Sequence, residues 1–196
     1  MSTTEPIRDK RQLSALAEYW LRQHNHRNYA LIVMGVCTAL RIGDLLRLVW
    51  DDVYDYERKV FRSHITLTEK KTGKTKTIAL HEQAVKALRL MAGESQEPGQ
   101  RPENGYIFRS NRKDGKAISR VQAWRIIRMA AVGIKAVGRI ACHSLRKTFG
   151  YFAYKSGVLP IILMDIFNHS SFKITKRYLG ITQDDRDKVY LGLVWF

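Results

Sequence analysis

The chain has 196 residues, enough for one domain with a real core, and its 45% hydrophobic and 10% aromatic content excludes a disordered polypeptide. Lys and Arg number 34 against 18 Asp and Glu, a net charge of +16 that points to a polyanionic partner, nucleic acid first. Cys37 and Cys142 lie far apart with no ligand spacing around them, so they read as reduced core thiols, and neither a metal nor a cofactor is expected.

In chain order, the polar start lacks the apolar stretch of a signal peptide. Leu13, Leu16, Ala17 and Trp20 fall at helical spacing and predict a first helix over 10–23. Asn28 is a candidate cap for a strongly apolar helix running to about Leu40, too short an apolar run to span a membrane. Leu45, Leu46, Leu48 and Val49 predict another short helix, ended by Asp51 and Asp52. Residues 58–80 then turn β-branched and aromatic. Lys-Thr-Gly-Lys makes a turn between Ile65–Thr68 and Thr75–Leu80, so a small antiparallel sheet with a very basic hairpin is expected.

A helix follows over 81–92, and residues 93–105 read as a surface loop within one domain. Residues 106–110 suggest a short strand. Ser119 and Gln122 stand at capping-box spacing before an amphipathic run to 137. Helices are predicted over 143–155, 160–168, 171–178 and 183–191. The expected fold is mainly α, α+β in class, with one small antiparallel β-sheet.

Several polar residues do not fit a purely structural reading. His143 and Arg146 are three apart and share a helix face bordered by apolar residues, where a guanidinium needs an anion. Arg41 stands at the junction of two predicted helices, the hairpin carries "EKKTGKTK", and His169 precedes Tyr178 by nine residues. Taken singly, each has a plain alternative. Arg41 could pair with Asp44, the histidines could merely flank helices, and Tyr178 has rivals in Tyr151, Tyr154 and Tyr190.

In this order, the segments resemble the catalytic domain of the tyrosine recombinases, or phage integrase family. Its pattern is an Arg in a segment like "LRxxDLLxL", a hairpin Lys, HxxR, a His or Trp, and a Tyr. The matching positions are Arg41, Lys71, His143, Arg146, His169 and Tyr178. The resemblance implies a site-specific DNA recombinase that cleaves and rejoins strands through a 3′-phosphotyrosyl intermediate, without metal or ATP. Arg41 and Arg146 would clamp the phosphate, a task suited to planar guanidiniums. His143 and His169 would donate hydrogen bonds or move a proton, Tyr178 would attack, and Lys71, with Lys74 second, would protonate the departing 5′ oxygen. Lys70, Lys74, Lys76, Arg120, Arg125 and Lys147 are expected to contact DNA.

Two departures from the pattern stand out. Asn168 replaces the usual Gly before the second histidine, and it tolerates the same left-handed backbone. Only 40 residues precede Arg41, so residues 1–196 are expected to form a single catalytic domain without the separate N-terminal core-binding domain, as in the stand-alone fimbrial-switch recombinases. The resemblance further implies double-stranded DNA as partner and a homotetramer on synapsed sites. The apolar Val194, Trp195 and Phe196 would dock either on their own domain or on a neighbouring subunit, with accessory DNA-bending proteins supporting a short chain. A cytoplasmic location in a bacterial or phage setting follows. The competing readings are a monomeric type IB-like topoisomerase and a non-catalytic DNA-binding regulator on the same scaffold.

Overall fold

A computed structural model describes residues 4–93, 105–111, 115–181 and 183–193. Helix α1 (Lys10–Leu21) starts where the Asp9 side chain accepts the Arg11 amide, and it turns Leu16, Ala17 and Trp20 inward. Helix α2 (His26–Cys37) is capped by Asn25, not Asn28; Asn25 accepts the Asn28 amide, and Asn28 is buried with its side-chain oxygen taken by Arg27. The helix ends before Leu40 because Ala39 adopts a φ of +52°, which breaks the helical path just ahead of Arg41.

Helix α3 (Ile42–Leu45) is a single turn. Asp51 and Asp52 open the next helix, α4 (Trp50–Val53), instead of ending one, because carboxylates favour the positive end of a helix; Asp52 accepts the Val49 amide. Two small ladders take the place of the single sheet expected. Strand β1 (Tyr54–Asp55) pairs antiparallel with β2 (Val60–Phe61), and β3 (His64–Thr68) pairs with β4 (Thr75–Ala79), Ile65 facing Ile78. Arg62 separates them: its amide goes to the Val53 carbonyl and its Nε to that of Asp51, so the first ladder closes before the second begins. Residues 106–110 form only isolated bridges, Tyr106 with Val49 and Arg109 with Ala117.

The remaining helices follow the expected order. They are α5 (Glu82–Ala92), α6 (Arg120–Gly133) capped by Ser119, α7 (Cys142–Lys155), α8 (Pro160–Ile166), α9 (Phe172–Leu179) and α10 (Gln183–Gly192). Two apolar clusters result. The larger joins α1, α2, α5 and α6 through Leu16, Trp20, Leu31, Met34, Leu88 and Ile127, with Leu145 from α7. The smaller gathers Ala39, Leu163, Phe167, Tyr178 and Leu179. Helix α7 lies between them, since Leu145 enters the first and Phe149 packs on the second. Cys37 and Cys142 are unpaired, and burial pushes both thiols up to about 11. Among the described residues, no helix is long and apolar enough to cross a membrane.

Candidate active site

The first turn of α7 carries His143 and Arg146 toward the smaller cluster. Arg146 is only 1% exposed, so its donors need internal acceptors. It donates Nη1 to the Ala39 carbonyl at 2.5 Å and Nη2 to the Phe167 carbonyl at 2.7 Å. These carbonyls follow the C-terminal ends of α2 and α8, where backbone oxygens lack helical partners and carry the negative end of the dipole. The Phe167 ring lies 4.7 Å from the guanidinium carbon. Burial, then Arg41, draws the Arg146 pKa down to about 10, which keeps it cationic at neutral pH.

Arg41 stands immediately before α3 with its Nη1 2.6 Å from the Glu69 carboxylate and its Nη2 3.5 Å from the Phe167 carbonyl. Both arginines therefore converge on one carbonyl. Asp44 does not pair with Arg41. It accepts the Lys70 amide at 3.0 Å and lies 3.7 Å from Arg47, tying the base of the hairpin to α3.

Tyr178 projects from α9 into the same space and is 8% exposed. Its hydroxyl lies 2.6 Å from His143 Nε2. Burial of its charge-bearing ring holds the His143 pKa down to about 4, with Lys147, Arg146, Arg41 and Lys71 adding to the effect, although the residue as a whole is exposed to solvent. A neutral imidazole can accept the phenol proton. Burial raises the phenol pKa, while Arg146 and Arg41 oppose that shift. His169 stacks on Phe167, sits 4.6 Å ring to ring from Tyr178, and is hydrogen-bonded through Nδ1 to Thr175 at 3.0 Å. Its pKa also falls to about 4, through burial and then Arg146, Arg41 and His143.

The floor beneath Tyr178 is Gly150 of α7. A Cβ there would lie 2.9 Å from Phe167 Cζ and 3.4 Å from Tyr178 Cβ. Tyr190, one rival, is 78% exposed on α10, and Tyr154 packs at the edge of the smaller cluster.

The hairpin lysines divide. Lys71 is exposed at the turn, close enough for its charge to act on His143. Lys70 and Lys74 are also exposed. Lys76, expected on the DNA surface, points inward from β4: its Nζ is 3.2 Å from Glu69 and 3.4 Å from the Ile166 carbonyl. Lys147, likewise expected to face DNA, is buried on the inner side of α7 and donates to the Thr4 carbonyl at 2.5 Å. Arg120 and Arg125 are exposed on α6, and the Arg120 guanidinium lies against Gly43, two residues from Arg41.

Glu69 was not singled out by sequence reasoning. It is fully buried, and its carboxylate accepts Thr72 at 2.9 Å and Asn168 at 3.0 Å besides meeting Arg41 and Lys76. Burial alone would raise its pKa. The bonds from Asn168, Arg41 and Thr72 and the Lys76 charge outweigh that and bring it to about 2. Asn168 reaches Glu69 from a left-handed backbone with φ +49°, so it makes the turn expected of Gly and adds a hydrogen bond. The only sequence signal for Glu69 was one acid within a run of lysines.

This arrangement agrees with what the chain is similar to. The family described as the phage integrase family matches residues 8–184. A probable integrase/recombinase, YoeC of Bacillus subtilis, is 36% identical over 192 residues, covering 97% of both chains. Tyrosine recombinase XerD of Mycobacterium leprae is 28% identical over 85% of this chain, which spans 52% of that relative. The type 1 fimbriae regulatory protein FimE of Escherichia coli K12 is 28% identical over 78% of this chain and 73% of its own length. Among solved structures, the XerA recombinase superposes with a TM-score of 0.73 at 23% identity, over 97% of this chain and 66% of that one. XerH site-specific recombinase bound to its palindromic difH substrate, a post-cleavage complex, gives 0.74 at 17% identity, over 97% and 53%. A family match across nearly the whole chain and a full-length relative above 30% identity agree with the HxxR helix and the buried tyrosine: the chain belongs to the phage integrase family, the site-specific tyrosine recombinases.

Proposed function

We propose that this chain cleaves and rejoins DNA with Tyr178 as nucleophile. The observation that carries the reading is the Tyr178 hydroxyl 2.6 Å from His143, in a pocket where Arg41 and Arg146 converge. The phenol oxygen would bond to phosphorus as its proton passes to His143 Nε2, and the P–O5′ bond would break. The two guanidiniums and His169 would oppose the charge that builds on the non-bridging oxygens. Lys71, exposed at the hairpin turn, is the donor for the leaving 5′ oxygen; Lys76 is engaged by Glu69. The products are a 3′-phosphotyrosyl link and a free 5′ hydroxyl, and rejoining reverses the step on another strand.

DNA contacts are assigned to exposed Lys70, Lys74, Arg120 and Arg125. Assembly as a tetramer on synapsed sites is supported by the exposed apolar residues of α10 and beyond, Val189, Tyr190, Leu191 and Leu193. Val194, Trp195 and Phe196 lie outside the described residues. Residues 1–196 are read as one catalytic domain, with accessory DNA-bending proteins supplying grip.

The test is a nicked duplex drawn from the flanks of the chain's own gene, incubated in EDTA without ATP. A covalent protein–DNA adduct is expected, lost in Tyr178→Phe and reduced about 100-fold or more in Arg146→Ala. No adduct, or an undiminished one in Tyr178→Phe, overturns the reading.

A further inference from the structure

Among the buried charged groups of the described residues, Glu69 takes no part in the chemistry above and is the most enclosed. Glu69 begins the tight hairpin turn, and its backbone is fixed there: its amide donates to the Lys74 carbonyl, and its own carbonyl accepts the Gly73 amide at 2.9 Å. Its carboxylate is reached by a different segment on each side. Arg41 comes from the α2–α3 junction, Thr72 from the turn, Lys76 from β4, Asn168 from the turn after α8, and Arg146 Nη1 stands 4.0 Å away on α7. No part of Glu69 reaches solvent, whereas the Arg41 side chain in front of it is 20% exposed. The fully buried carboxylate therefore holds Nη1 of a guanidinium whose Nη2 reaches the Phe167 carbonyl and whose side chain keeps partial access to solvent.

We propose that Glu69 is a positioning residue of the site: by anchoring Arg41 and Lys76 to the turn that carries Asn168, its buried carboxylate sets where the two guanidiniums receive a phosphodiester. A guanidinium on a flexible stem loses rotamer freedom when it clamps an oxyanion, and a fixed counter-ion removes that freedom beforehand. The same carboxylate offsets positive charge around the nucleophile. Tyr178 is faced by His143, Arg146 and Lys147 from α7, by His169 from the α8–α9 turn, and by Arg41. Arg41 and Lys76 meet their compensating anion at Glu69. The catalytic consequence rests on the recombinase reading; the electrostatic one does not.

The experiment has two arms on the full chain, with Glu69→Gln and Glu69→Asp. Without DNA, tyrosine labelled with carbon-13 at Cζ is titrated by NMR, the Tyr178 signal being identified by its loss in Tyr178→Phe. Neutralising Glu69 leaves the cations unopposed, so Tyr178 should ionise at lower pH in Glu69→Gln by about half a unit or more, and near the wild-type value in Glu69→Asp. With DNA, single-turnover cleavage at saturating protein should slow about 10-fold or more in Glu69→Gln, with Glu69→Asp recovering most of it and non-covalent DNA affinity unchanged.

Removing one partner of a buried ion pair can unfold a chain, so Glu69→Gln/Lys76→Met, which removes both, carries the same readouts. An unmoved Tyr178 titration overturns the proposal, as does wild-type cleavage in Glu69→Gln. Equal losses in the Gln and Asp variants with no change in titration would mark a mere strut and also overturn it. If wild-type protein forms no adduct, the recombinase reading falls and the titration alone decides Glu69.

Discussion

Gly150→Ala should damage cleavage more than stability. The added methyl carbon would sit 2.9 Å from Phe167 Cζ and 3.1 Å from Cε2. Carbon atoms pack comfortably at ~3.5–4.0 Å, so the ring must retreat by roughly 0.6 Å or more. Phe167 cannot retreat alone: its ring stacks on His169, tilts against Tyr178 at 5.0 Å between centres, and lies under the Arg146 guanidinium. The third approach, 3.4 Å to Tyr178 Cβ, presses directly on the residue proposed as nucleophile. Overpacking of this kind costs about 1–3 kcal/mol, while replacing Gly by Ala inside a helix returns about 1 kcal/mol, leaving a net loss of roughly 0–2 kcal/mol. A displacement of about half an ångström at a reacting oxygen should slow single-turnover adduct formation about 10-fold. Urea denaturation and the nicked-duplex assay would be run side by side with Gly35→Ala as control. There the methyl would meet Leu145 Cδ1 at 2.6 Å, a closer approach, but the side chain that must yield belongs to the larger cluster and not to the one that holds Tyr178. Wild-type cleavage by Gly150→Ala, or an equal loss of cleavage in Gly35→Ala, would refute the coupling of the helix floor to Tyr178.

Asn168→Gly should be more stable than Asn168→Ala in thermal denaturation by about 1 kcal/mol, because both lose the bond to Glu69 but only Ala is strained at φ +49°. Glu69 has a folded pKa of about 2 against an ordinary 4.5, so its contribution is fully present above 4.5 and is lost as pH falls toward 2. Wild-type protein should lose about 2–3 kcal/mol over that window in urea titrations, and Glu69→Gln measurably less; parallel curves would contradict the assignment. Arg125→Ala should lower the slope of log affinity against log salt by ~0.9 in DNA-binding titrations, and an unchanged slope would place Arg125 off the phosphate backbone.

The arrangement of the candidate site was legible in the sequence where its signals are local. His143 and Arg146 are joined by helical spacing, and the turn "KTG" and the Ser119 cap are short-range signals that the fold obeys. What could not be read depends on tertiary convergence. Glu69 meets partners 28 residues upstream and 99 downstream, at Arg41 and Asn168, and nothing in its immediate neighbourhood encodes that. Lys147 misled because α7 is packed on more than one side; helical spacing identifies faces without saying which of them is covered. The cap at Asn25 and the two separate ladders turned on one- or two-residue placements, at which sequence boundaries are weakest.

The division of the interior into a large cluster and a small one has a dynamic consequence. Tyr178 belongs to the small one, where Ala39, Leu163, Phe167 and Leu179 are buried and half-buried side chains such as Phe149 and Ile174 pack around them, far fewer buried residues than in the large one. Arg146 holds it to the end of α2 through the Ala39 and Phe167 carbonyls. A unit with so little buried apolar surface opens at a lower free energy than the body it rests on. Amides of α8 and α9 should therefore exchange with solvent hydrogen ahead of those of α2 and α6, through openings that leave the rest of the chain folded. Under the proposed chemistry Arg146, sealed at 1% exposure, would meet a DNA strand through such an opening.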